Sequence, residues 1–373
     1  MLFRNARLYA ADGQFRLGSF RVENGVFTEV LYGEADNGED LRGALVLPGL
    51  IDLHTHGNCG DDFSDGDPAG LTRMARYLAA HGVTTFAPTS MTLPYDVLEV
   101  AFSAARCLKD NLPADCADVA GIHMEGPFLS DGKKGAQNGD YLQAPDVFAF
   151  RRLYQQCGEL IRLVDVAPEL TGAERFAREL SPFCTVSAAH AVCNYEQAAA
   201  FFEAGGHHVT HLFNAMPPLH HREPGLIAAA AERENVTAEL ICDGYHIHPA
   251  AVRMAFRLFP GRICLISDAL RCCGMADGDY ELGGQTVRLS GGVARLPDGT
   301  IAGSAANLFD CLRRAVSFGI PLEQAVAAAT SVPAGVLGMA DQIGAIAPGY
   351  RADFLLCSED LTLKKVFLRG NPL

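Results

Sequence analysis

From Leu45 onward, short apolar runs alternate with longer stretches in which apolar residues recur every three or four positions. The runs are LVLPGLIDL (45–53), GVTTFAPTS (82–90), DVAGIHM (118–124), IRLVDVAPE (161–169), CTVSAAH (184–190), HHVTHLF (207–213), TAELICD (237–243) and RICLISD (262–268), eight in all. Near-continuous apolarity, in place of strict alternation, marks a parallel strand buried on both faces. Stretches such as PAGLTRMARYLAAHG, PYDVLEVAFSAARCLKD, NYEQAAAFFEAGG and HPAAVRMAFRLF follow most runs with helical spacing. Eight buried strands joined by helical crossovers predict an α/β fold, a closed (β/α)8 TIM-type barrel.

The flanks follow another rhythm. Residues 1–46 read as short strands broken at Asp12-Gly13, Asn24-Gly25 and Asn37-Gly38, pairs that favour tight hairpins. The tail GAIAPGYRADFLLCSEDLTLKKVFLRG returns to strand-like alternation. Both termini are therefore expected in one small β-sandwich domain, 1–46 with 344–373, beside a barrel over 47–343. The Gly-rich stretch from Ala269 to Gly303 is expected to form a long loop or hairpin over the barrel mouth.

Charge and composition narrow the partners. The 373-residue chain carries a net charge of −14, which argues against nucleic acid or an anionic membrane surface, since either needs a basic patch. A small anionic substrate is compatible, because a few local cations suffice. No apolar run approaches the roughly 18 residues of a membrane span, and the start lacks a secretory pattern, so the chain reads as cytoplasmic. The 12 Cys include one adjacent pair, Cys272-Cys273, and no zinc or disulfide spacing, so reduced thiols are expected.

Metal-capable side chains collect at the ends of the runs. His54 and His56 close the first, Glu125 the third, His190 the fifth and His211 the sixth; Asp243 and His246 follow the seventh, and Asp268 ends the eighth. Singly, each has an ordinary reading as a cap or ion-pair partner. Jointly, they fall on one rim of a barrel, where His54 and His56, two apart on a strand, share a face. Imidazole and carboxylate ligands without thiolate suit Zn2+ or Fe2+. Such an ion activates water and polarises a carbonyl, which suits amide or ester hydrolysis, with Asp268 the candidate general base and acid.

The motifs PGLIDLHTHG, GIHMEGPFLS, KKGAQN, SAAHA, HLFNAMPPLHHREPG, ICDGYHIHP and LISDAL resemble the amidohydrolase superfamily, and within it the N-acetylglucosamine-6-phosphate deacetylases, over nearly the whole chain. That resemblance implies a hydrolase in which metal-bound hydroxide removes the acetyl group of N-acetyl-D-glucosamine 6-phosphate. It implies that Glu125, His190 and His211 hold the principal metal, with a second ion at His54 and His56 near Asp268, bridged by Glu125. It also points to Ala136, Asn214, Ala215, His246 and the stretch Ile301, Ala302, Gly303 as substrate contacts. Arg222 would bind the phosphate across the interface of a homodimer. Gln137 stands where some members of the family have His, and its amide is expected to reach a sugar hydroxyl or the acetyl carbonyl.

Rival readings are deacetylation of the galactosamine epimer, a cyclic-amide hydrolase, and a silent scaffold. The cyclic-amide enzymes typically bridge two metals with a strand Lys, which LVDVAPE lacks. A scaffold would have shed ligands that this chain retains.

Overall fold

The computed structural model describes residues 1–33 and 35–373. Its centre is a parallel barrel of eight strands in chain order: β1 (Leu50–Thr55), β2 (Val83–Ser90), β3 (Ile122–Met124), β4 (Ile161–Val166), β5 (Thr185–Ala188), β6 (His208–Val209), β7 (Thr237–Ile241) and β8 (Ile263–Ile266). Every predicted run contributes one of them. The barrel closes where β8 returns to β1, through a parallel bridge between Thr55 and Ala269 and the Asp268 amide donating to the His54 carbonyl at 2.9 Å.

Helices lie outside the strands, and local chemistry starts several of them. Asp67 accepts from the amides of Ala69 and Gly70 ahead of Pro68–Ala80, whose first residue is the Pro that tolerates that position. Asn194 and Gln197 form a capping box at the head of Tyr195–Glu203. The inner helical faces and outer strand faces share one core that includes Phe86, Phe102, Phe150, Phe176 and Phe201.

The two termini build one continuous sheet, in which Leu2–Tyr9, Phe15–Glu23 and Val26–Tyr32 pair with Leu45–Pro48, Phe354–Cys357 and Leu363–Leu368. A single sheet curls until Val26 bridges Arg351, and its concave face packs Phe3, Phe20, Phe27, Phe354 and Phe367, with the last two rings stacked at 4.2 Å. The run 45–53 splits at Gly49: Leu45–Pro48 pairs with the terminal strands, and Leu50 starts the barrel.

Residues 269–303 take the hairpin form of the expected loop or hairpin. Gly278–Leu282, Gln285–Ser290, Val293–Arg295 and Ile301–Ser304 make an antiparallel sheet beside the mouth, with Leu282, Val287 and Leu289 packed against Met91, Leu270 and Cys272. All twelve cysteines are free thiols.

Candidate functional site

The rim of the barrel turns sharply where its functional side chains sit. His190, His211 and Asp268 all have left-handed backbones, with φ of 44°, 32° and 48°. Non-glycine residues adopt this region at a cost, and it recurs where a site demands a particular side-chain direction. Here each turn ends a strand and swings its side chain over the barrel axis. For His211 this means that β6 ends earlier than expected, at Val209.

Two groups of donors result. In one, Glu125 Oε1 lies 3.1 Å from both His190 Nε2 and His211 Nε2. In the other, His54 and His56 bring their Nε2 atoms to 3.2 Å, with Asp268 Oδ1 3.6 and 3.3 Å away. Glu125 lies between the groups, its Oε2 being 3.4 Å from His56 Nε2. All six side chains are buried.

The hydrogen bonds behind the rings decide what faces the centre. His54 Nδ1 lies 2.9 Å from Glu239 Oε2, His56 Nδ1 3.1 Å from the Thr89 carbonyl, and His190 Nδ1 2.8 Å from the Lys133 carbonyl. Each acceptor demands a proton on Nδ1, so in the neutral ring the Nε2 lone pair points inward. Converging lone pairs and two carboxylates repel one another unless protons or a cation lie among them. The donor set of nitrogen and oxygen atoms, without thiolate, fits a divalent metal.

Electrostatics agree. Burial alone would raise the carboxyl pKa of Glu125, yet His54, His190 and His211 hold it well below the usual carboxylate range. Asp268 is likewise held low against burial, by His54 and His56. Burial opposes a charged His54, but Glu239, Glu125 and Asp268 outweigh it and hold the imidazole pKa well above normal.

Above the donors lies a cavity of about 420 Å³, within the range of small-molecule sites. His56, Glu125, His190, His211 and Asp268 form its floor, while His54 is enclosed beneath it. Ala136, Gln137, Asn214 and Ala215 form one wall, with Lys133 and Lys134 alongside. Ile301, Ala302 and Gly303 form another, brought in by the antiparallel sheet. His246 also lines it, with its Nδ1 2.7 Å from Asp243 Oδ2; burial would depress this imidazole, but that bond lifts its pKa above normal.

Gln137 and Arg222 are both engaged by the protein's own atoms. Gln137 is tied into the protein at both ends: its Oε1 accepts from the Thr92 amide at 2.7 Å and its Nε2 donates to Glu125 Oε2 at 2.6 Å. It orients the carboxylate, and its second amide hydrogen is left for a ligand. Arg222 is exposed outside the cavity and donates to His221 Nε2 at 2.7 Å.

Pattern reading missed the polar layer under the floor. His123, Asp165, His208 and Glu239 are wholly enclosed inside the barrel. The available signal was a charged or imidazole residue inside an otherwise apolar run, as in LVDVAP and AELIC.

Comparison with known proteins identifies the family. Residues 45–373 match the Amidohydrolase family. The N-acetylglucosamine-6-phosphate deacetylase of Bacillus subtilis (strain 168) is 36% identical over 99% of this chain and 93% of its own length. The N-acetylgalactosamine-6-phosphate deacetylase of Escherichia coli O157:H7 is 33% identical over 87% of each. Among solved structures, a mutant N-acetyl-D-glucosamine-6-phosphate deacetylase of Mycobacterium smegmatis, in complex with N-acetyl-D-glucosamine-6-phosphate, superposes with a TM-score of 0.93 at 33% identity, over 100% of this chain and 98% of that one. On its sequence, its barrel and the donors gathered at its rim, the chain belongs to the amidohydrolase family.

Proposed function

We propose that the protein hydrolyses the acetamide of N-acetyl-D-glucosamine 6-phosphate, giving D-glucosamine 6-phosphate and acetate, with one or two Zn2+ or Fe2+ ions. The observation that carries this reading is the convergence of His56, His190 and His211 with Glu125 and Asp268 on the floor of a sugar-sized cavity, with His54 directly beneath. Likeness to the deacetylases over the full chain supports the substrate class.

Glu125, His190 and His211 would hold the principal ion, and His54, His56 and Asp268 a second. A bound divalent ion lowers the pKa of water and polarises a carbonyl oxygen. Asp268, kept ionised by its imidazole neighbours, takes a proton from the attacking water and returns it to the departing amine. His246, oriented by Asp243, turns its Nε2 to the acetyl carbonyl and steadies the oxygen as charge builds. Asn214, Ala215, Ala136 and the Ile301–Gly303 strand hold the sugar. Gln137 aims Glu125 and has one hydrogen for the substrate. Arg222, lying outside its own cavity, serves the cavity of a second copy, where its planar cation binds phosphate.

Acetate release from N-acetylglucosamine 6-phosphate, its galactosamine epimer and unphosphorylated N-acetylglucosamine, with metal content measured on the same sample, tests the reading. Preference for the first supports it, preference for the epimer replaces the sugar, and no release from metal-loaded protein means another amide.

A further inference from the structure

The interior of a parallel barrel is ordinarily filled by Val, Ile and Leu. Here one interior layer is polar. Enclosed ionisable groups are costly unless paired, so such a layer calls for a reason.

Its hub is Glu239, in the middle of β7 and not at a strand end, with no exposed surface. A single oxygen, Oε2, accepts from His54 Nδ1 at 2.9 Å and from the backbone amide of His211 at 3.1 Å. His54 belongs to one donor group and His211 to the other. The second contact falls on one of the left-handed rim residues, whose amide direction decides where its ring points. The other oxygen lies 3.4 Å from His208 Nε2 and 3.7 Å from His123 Nδ1.

A second set of enclosed polar groups lies behind Glu239. His123 places Nδ1 3.0 Å from the Leu53 carbonyl and Nε2 3.0 Å from Asp165 Oδ1. Asp165 Oδ1 also accepts from Thr210 at 2.8 Å, and Thr210 meets Ser187 at 2.7 Å. Strands β1, β3, β4 and β5 thus contribute to a network that packs against Glu239 without hydrogen-bonding its Oε1, which finds no partner among the described residues. Turning Glu239 away from His54 would leave the buried His54 Nδ1 and the His211 amide unpaired.

We propose that Glu239 is a positioning residue shared by both halves of the metal centre: through one oxygen it keeps His54 with Nε2 toward the centre and pins the amide that aims His211. This rests on the metal-dependent reading above. It adds that the affinity of the centre is set partly from one layer below, by a residue that touches neither metal nor substrate. A carboxylate behind a ligating imidazole also makes that ring a stronger donor, and losing such a partner typically weakens metal binding about 10- to 100-fold.

The test titrates metal-free wild-type protein and Glu239→Gln with Zn2+ against a chromophoric chelator, and records the visible spectrum of the Co2+-loaded forms. Glutamine keeps the size and offers one oxygen to both donors, but removes the charge. The expected result is Zn2+ affinity reduced about 10- to 100-fold with an altered Co2+ spectrum, whether the wild type takes up one ion or two, because Glu239 touches both groups. Unchanged affinity and spectrum overturn the proposal, even if the melting temperature falls, since a purely structural role moves only the latter. If the Gln variant does not fold, Glu239→Asp, which keeps the charge but shortens the reach, is read in the same way. A wild type that binds no metal would instead defeat the metal-dependent reading itself.

Discussion

At the scale of single residues, the site depends on side chains held in directions that their backbones resist. Asp268 sits on such a backbone, is 8% exposed and is kept ionised by the imidazoles around it. Asp268→Asn keeps the shape and an oxygen but cannot take a proton. It is expected to retain most metal uptake and to lower kcat about 10²- to 10⁴-fold, the usual worth of a positioned acid-base group; kinetics beside metal analysis decide it, and near-normal turnover would remove Asp268 from that role. Asp62, just behind the His56 turn, shows the opposite electrostatics: burial pushes its carboxyl up to about 6, with His56 and Arg271 only partly offsetting it. A carboxyl with a folded pKa above its unfolded value of about 4 binds its proton more tightly in the folded state. Its effect on stability therefore worsens as pH rises from about 4 to 6 and stays adverse above. In metal-free protein, Asp62→Asn should match the wild type near pH 4 and exceed it by about 3 kcal/mol near pH 8, as read from urea midpoints; an equal offset at both pH values would contradict this.

At the scale of elements, the eight apolar runs map onto eight strands because burial on both faces leaves little choice of residue. Legibility failed where a letter had two meanings. Glu239 and Asp165 interrupt apolar runs and are as enclosed as their neighbours, but nothing in one strand shows which group on another strand will pair with them. The Gly-rich stretch 269–303 was legible as a loop or hairpin but not as four strands, because those strands also pack on Met91 and Leu270, contacts made across the fold. That sheet also clasps the cavity wall, since Gln285 Nε2 donates to the Ala136 carbonyl at 2.6 Å. Gln285→Ala removes the clasp without touching the floor. We expect KM to rise about 5-fold, the equivalent of one ordinary hydrogen bond, with kcat and metal content held. A fall in kcat alone would place the contact in the chemistry and not in the wall.

At the scale of the whole molecule, the curled terminal sheet is joined to the foot of the barrel by Arg351. Its guanidinium bonds Asp353 on its own segment, Asp118 Oδ2 at 2.6 Å, and Thr85 on β2. Arg351→Met leaves Asp118 to Lys109, at 3.5 Å, and Asp353 to the Arg369 amide, and should cost about 3 kcal/mol, measured by urea unfolding, with substrate KM unaffected because the cavity opens at the opposite end of the strands. A loss below 1 kcal/mol would mean that water screens the cluster. No helix among the described residues is long and apolar enough to cross a membrane. Sequence alone determined the class of fold, the strand count and the rim position of His54, His56, Glu125, His190, His211 and Asp268, because periodicity and strand ends are local properties of a chain. Only the tertiary structure decided that the terminal strands form one curled sheet, that Gln137 is spent on Glu125, that Arg222 stands outside its own cavity, and that Glu239 underlies both donor groups. Those outcomes depend on which strand lies beside which and on where each hydrogen-bonding atom finds its partner, and residues brought together across 185 positions of chain, as His54 and Glu239 are, leave no periodic trace in the sequence.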